Sequence, residues 1–133
     1  MAVGQEKLGI ADPNVIKAFG AFGGGIAGSG NVCGAMLAGV AVISSLYSRG
    51  SLEEKENPRM WKLSHQFMAR FTELTLEYGG VECKHIARIN WNDRNQARDF
   101  YKNPESRRKE CIKLVGETAS LLGELLEQET ARN

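Results

Sequence analysis

The chain has only three cysteines, Cys33, Cys83 and Cys111, an odd number at wide spacing. That excludes the disulfide framework on which small secreted domains rely. No Cys-x-x-Cys pair occurs, so thioredoxin-type exchange and compact zinc ribbons have no motif to build on. Nor does Cys-x-x-Cys-His occur, which excludes covalent haem attachment of the usual kind. Charge of one sign is also missing. With 17 basic and 16 acidic residues the formal net charge is +1, which gives no electrostatic case for nucleic acid or an anionic membrane as main partner. The most apolar stretch, 32–46, falls short of the roughly 20 residues that span a bilayer. Gly34, Gly39, Ser44 and Ser45 interrupt it. The opening Met1-Ala2-Val3-Gly4-Gln5-Glu6-Lys7 has no basic segment followed by an apolar one, so no signal peptide is read there. A cytoplasmic protein with no membrane insertion is expected. In such a reducing setting, free thiols, metal ligation and reversible redox chemistry remain open to the cysteines. There is no Ser/His/Asp signature and no paired-carboxylate motif.

What is present is ordinary globular composition, 42% hydrophobic and 25% charged over 133 residues, enough for one domain with a real core. A single helical domain over 1–133 is expected, with 1–10 and 128–133 peripheral or frayed. Pro13, Pro58 and Pro104 each follow a good N-cap residue, Asp12, Asn57 and Asn103. Proline at the first helical position lacks only an N–H that would be unpaired anyway, so all three are read as helix starts. The pattern predicts a helix over 13–22, a glycine-rich loop over 23–30 and an apolar central helix over 31–48. A third helix over 58–78 presents a stripe of Trp61, Ser64, Phe67, Met68, Phe71, Leu74, Thr75 and Tyr78. A short helix follows around 82–89, the stretch 89–101 is left unassigned, and the last helix starts at Pro104. Its buried face is read as Cys111, Leu114, Val115, Thr118, Leu122, Leu125 and Leu126. The sum is an all-α bundle of about four to five helices with a glycine-rich loop before the central one. No strand pattern is found.

Cys33 is placed in the first turn of the central helix, where free amides and the helix dipole favour a thiolate. It reads equally well as a small buried hydrophobe. Cys83 follows the Gly79-Gly80 break, with His85 two residues on. On a helix, positions two apart do not face one another, whereas in an extended segment both could reach one metal. Cys111 taken alone reads as core. Gly24, Gly25, Gly28, Gly30 and Gly34 are the candidates for backbone contact with a cofactor or anion. Without a preceding strand or a Gly-Lys-Ser/Thr sequence, a tight crossing near another backbone is the plainer reading. His65 in the third helix is read as structural or exposed.

The stretch Phe22-Gly23-Gly24-Gly25-Ile26-Ala27-Gly28-Ser29-Gly30-Asn31-Val32-Cys33-Gly34-Ala35 resembles the signature of the C-GCAxxG-C-C family. That group is named for its cysteine pattern, and redox activity is ascribed to it. The resemblance runs from about residue 8 to 126, through Cys83 and Cys111-Ile112-Lys113-Leu114-Val115. It implies a helical protein of this length. Two departures stand out. The family carries a further cysteine upstream of the segment matching Lys7-Leu8-Gly9-Ile10. The glycine that closes its motif is Ala38 here, with Gly39 following.

Residues and resemblance together lead to a redox-active or metal-binding protein centred on Cys33, Cys83 and Cys111. The three thiols would ligate zinc or an iron–sulfur cluster, with His85 or an external group as fourth ligand, or two of them would cycle between dithiol and disulfide. A redox partner and self-association are expected. The contrasting reading is a non-catalytic helical interaction or dimerisation module with structural cysteines.

Overall fold

The computed structural model describes residues 1–131, and among these the only β-type pairing is an isolated antiparallel bridge between Val32 and Glu82. Seven α-helices follow one another: α1 Ala2–Leu8, α2 Pro13–Ala18, α3 Gly34–Tyr47, α4 Arg59–Leu74, α5 Cys83–Ile86, α6 Arg94–Lys102 and α7 Arg108–Ala131. Short 3₁₀ turns at Gly20–Phe22 and Leu76–Tyr78 follow α2 and α4. The fold is all-helical as expected, with more helices than the four to five counted from the pattern.

Of the three prolines, only Pro13 opens a helix. Asp12 caps it, its carboxylate accepting from the amides of Asn14 at 2.9 Å and Val15 at 3.4 Å. Pro58 is itself the residue before α4. Pro104 lies in a turn and α7 starts only at Arg108, although the Asn103 carboxamide accepts from Glu105 N–H at 2.9 Å much as Asp12 accepts from Asn14. Most of α6, which Asp93 caps through the amides of Asn95 and Gln96, falls in the stretch 89–101 left unassigned by its pattern. The end expected to fray is helical to Ala131, with Glu129 buried against Arg59 and Lys62 at 3.2 and 3.3 Å. Residues 132 and 133 lie outside the described residues. The other end, also expected to be peripheral, forms α1. Buried Gln5 ties α1 to the following turn by exchanging hydrogen bonds with the Asp12 backbone at 3.0 and 3.1 Å.

The core lies where α3, α4 and α7 pack together. Ile43, Leu63, Phe67, Phe71 and Leu114 are almost wholly buried there. The buried stripe of α4 is rotated from the expected one: Met60 and Leu63 point inward, whereas Trp61 and Met68 are exposed. On α7, Leu121 joins the core and Val115 is exposed. Gly39 explains how closely α3 approaches α4, since a Cβ there would stand 2.1 Å from the Phe67 ring. Phe67 has no exposed surface and little freedom to yield. Among the described residues no helix is long and apolar enough to cross a membrane.

Gly39→Ala should therefore destabilise the fold by about 1–3 kcal/mol through overpacking, even though alanine is the better helix former by about 1 kcal/mol. Urea denaturation measures it, and a variant as stable as the parent would show that α3 and α4 can move apart.

Candidate functional site

The segment before α3 and the segment that opens α5 are joined through their backbones. Lys84 N–H donates to Gly30 O at 3.0 Å, Cys83 N–H to Asn31 O at 2.7 Å, and Cys33 N–H to Val81 O at 3.1 Å. These bonds flank the Val32–Glu82 bridge and hold 31–33 extended. That is why the central helix begins at Gly34, three residues later than its pattern suggests, with Cys33 as its N-cap. Cys33 adjoins Val32 and Cys83 adjoins Glu82, so the bridge carries a cysteine beside each of its members.

The glycine loop lies directly against this crossing. Five consecutive residues, Gly24 to Gly28, have left-handed φ values of 64, 72, 67, 51 and 71°. Two of them are not glycine: for Ile26 and Ala27 this conformation costs roughly 1–2 kcal/mol each. The turn is held by Ala27 N–H to Ala21 O at 2.7 Å, Gly30 N–H to Gly24 O at 2.9 Å, and a Ser29 hydroxyl bond to Gly25 O. Gly25 shows most clearly why side chains are excluded, because a Cβ there would approach Asn31 O to 2.5 Å and Cys83 Cβ to 2.7 Å. Gly24, Gly28 and Gly30 also have positive φ and face Trp91 or Lys84, while Gly34 starts α3 against Phe22 O. Each of the five glycines read as cofactor contacts lies against other parts of the chain.

All three cysteines are free thiols. Cys33 is half-buried, and burial pushes its pKa up, although the amides of Ala35 and Met36 in the first turn of α3 pull it down. The thiolate expected there from the helix start is therefore disfavoured, because desolvation outweighs the amides. Cys83 is buried and also raised, chiefly by burial. The indole N–H of Trp91 donates to its sulfur at 3.3 Å and works the other way, while Cys33 adds to the rise. Cys111, in the opening turns of α7, touches both apolar clusters of the core. Its thiol is pushed up to about 11, first by burial, then by Cys83 and Cys33, against the pull of Arg107. The three thiols, at the N-cap of α3 and in α5 and α7, therefore lie within electrostatic reach of one another.

Arg107 is fixed beside Cys111. Its Nε–H donates to Ile86 O at 2.8 Å and its guanidinium lies 5.8 Å from the centre of the Tyr78 ring. Tyr78 donates to Glu110 at 3.3 Å, and burial with the charges of Glu77 and Glu110 raises its phenol to about 12. His85 is turned elsewhere. Its Nε2 is 3.7 Å from Glu82, and its buried Nδ1 rests against Gly80 with no hydrogen-bond partner among the described residues. Among the described residues no group of three or more His, Cys, Asp or Glu side chains is arranged to hold a metal ion, so the ligand set read as Cys33, Cys83, Cys111 and His85 is not assembled. His65 lies in α4 with its ring 6.2 Å from that of exposed Trp61.

Trp91 is the contact that pattern reading missed. It falls in the unassigned stretch, two residues before the Asp93 cap. A legible Asp N-cap could have fixed α6 and left Trp91 in a short loop, but nothing local says which sulfur it meets.

A family model described as "Putative redox-active protein (C_GCAxxG_C_C)" matches residues 1–125, so the chain belongs to that family. No curated protein and no solved structure matches the chain.

Cys111 at about 11 and Tyr78 at about 12 hold their protons more firmly in the fold than in an unfolded chain, where a thiol titrates near 9.0. Stability is then complete below pH 9 and declines as pH rises through 11. Urea midpoints taken from pH 8 to 11 should fall, and fall less steeply in Cys111→Ala. Equal slopes in the two proteins would show that this thiol does not contribute.

Proposed function

From that family membership, we propose that the chain works by thiol–disulfide exchange, with Cys33 and Cys83 as the reacting pair and Cys111 as a third thiol beside them. The crossing of 31–33 with 81–83 supports this reading most, because it brings the two cysteine-bearing segments side by side and Cys33 acts electrostatically on Cys83. Cys33 is the more accessible of the two. In the oxidative direction its sulfur loses a proton and attacks a disulfide of a partner protein or small molecule. One partner thiolate leaves, and a mixed disulfide forms. Cys83, deprotonated in turn, attacks Cys33 and releases the second partner thiolate. The partner gains two electrons and the protons that the pair gives up, and the chain keeps one S–S bond. Thiols raised by burial make the attack slow at neutral pH and leave the disulfide the more favoured state of the pair, which suits a donor of reducing equivalents.

Self-association has its own support. Val3 and Val115 are exposed and line an apolar cleft of about 500 Å³ between α1, α3 and α7, with exposed Ile112 a turn away. Such surface is more than scattered exposure. The interaction-module reading draws on the same face.

Mild oxidation with diamide, followed by peptide mapping, tests the pair. The expected product is a Cys33–Cys83 disulfide that also forms in Cys111→Ser. Three thiols left free, or a bridge that always includes Cys111, would defeat the assignment. Val115→Glu should lower the sedimentation mass if α7 takes part in self-association, and an unchanged mass would remove that face from consideration.

A further inference from the structure

We propose that Trp91 is a positioning residue for Cys83, its indole N–H fixing the sulfur and stabilising it when it leaves as a thiolate; this rests on the Cys33–Cys83 reading. An indole nitrogen only donates, so its 3.3 Å contact uses a lone pair on Cys83 Sγ. Such a bond strengthens when the acceptor carries charge. It therefore favours the state in which the S–S bond has broken and its electron pair resides on Cys83.

The indole is packed among aromatic rings and the glycine turn. Phe100 meets it edge-on with ring centres 5.0 Å apart, and Tyr101 lies at 6.2 Å. The left-handed turn also lies against it: a Cβ at Gly28 would come within 3.2 Å of Trp91 Cβ, and one at Gly24 within 3.4 Å of its ring. The same turn packs Gly25 against Cys83. The strained loop thus touches donor and acceptor together and sets their separation. Strain of this kind persists only where surrounding contacts fix the backbone. The titratable group acting on Cys83 is the Cys33 thiol, and Cys83 in turn acts on Cys111. Neither supplies a hydrogen to its sulfur in the contacts described, which leaves the indole in that role.

The step is the opening of the disulfide by an external thiolate. It attacks Cys33, the more accessible sulfur, and forms a new S–S bond there. The Cys33–Cys83 bond breaks, and the electron pair passes to Cys83. Trp91 N–H holds that charge until water supplies a proton. Attack at Cys83 would instead require displacing the indole from a buried sulfur.

Trp91→Phe keeps an aromatic ring and removes the donor. Opening of the oxidised pair by dithiothreitol at fixed pH should slow about tenfold, the loss expected for one hydrogen bond to a charged sulfur. A variant that merely loosens the site would expose Cys83 and react faster, so the direction separates the two roles. Alkylation of Cys83 by iodoacetamide in a Cys33→Ser/Cys111→Ser chain should slow likewise. Because that assay needs no disulfide, slower alkylation in a chain whose pair never oxidises would uphold Trp91 and reject the pair. Unchanged or faster reaction in both assays would overturn the proposal while leaving the pair intact. Should Trp91→Phe fail to fold, Trp61→Phe carries the test, since it leaves Trp91 as the one tryptophan of the two in the chain. Its emission should change as Cys83 is oxidised, and constant emission would overturn the contact.

Discussion

The backbone crossing of 30–33 with 81–84 is the constraint on which the rest of the site depends. Three hydrogen bonds and one bridge join segments about fifty positions apart and fix where α3 and α5 begin. Without it, 31–33 could continue as the first turn of α3, and Cys33 would stand inside the helix instead of capping it. The crossing also determines what can lie above it. Asn31 and Cys83 come so near the glycine loop that a single added carbon at Gly25 would collide with both. The glycine cluster is thus dictated by this crossing and needs no ligand to account for it.

The same crossing settles the electrostatics. A helix start favours a thiolate, and the amides of Ala35 and Met36 do act on Cys33 in that direction. They lose to desolvation because the N-cap is folded under the loop. Cys83 and Cys111 are raised for the same reason, and each thiol that ionised would make the next harder to ionise. Three neutral sulfurs in mutual reach differ from the single activated thiolate that a cysteine at a helix start suggests. Chemistry at such a site must lower the barrier locally, at the atom that takes the charge.

How much of this could be read from the chain depends on the range of the interactions involved. Asp12-Pro13 was legible because cap and proline act within four residues. Asn103-Pro104 has the same local signature and the same bond to the second amide on, yet the helix begins only at Arg108, and no local rule distinguishes the two outcomes. The α4 stripe was found by its period but not by its phase. Trp61 and Met68 are apolar enough to satisfy the pattern, and only packing against the rest of the fold buries Met60 and Leu63 instead. The three cysteines were legible as a set through their family pattern. Their neighbours were not: His85 is close in sequence but turned to Glu82, whereas Trp91 belongs to a stretch without clear period and reaches the sulfur through the fold.

The left-handed turn gives a physical reason for this division. Glycine predicts freedom at a position, and at Gly24, Gly25 and Gly28 that freedom is used. Ile26 and Ala27 have none to offer and are nonetheless held at φ 67 and 51°. Their neighbours' bonds to Ala21 and Gly24, the Gly25 contact with Cys83 and the Trp91 ring must together outweigh roughly 2–4 kcal/mol of local preference. Among these, the contacts with Cys83 and Trp91 come from outside the loop, and they join it to the indole and the cysteine. The left-handed turn and the indole hydrogen bond to Cys83 are therefore two consequences of one packing arrangement. Changing either the loop or the indole must alter the other.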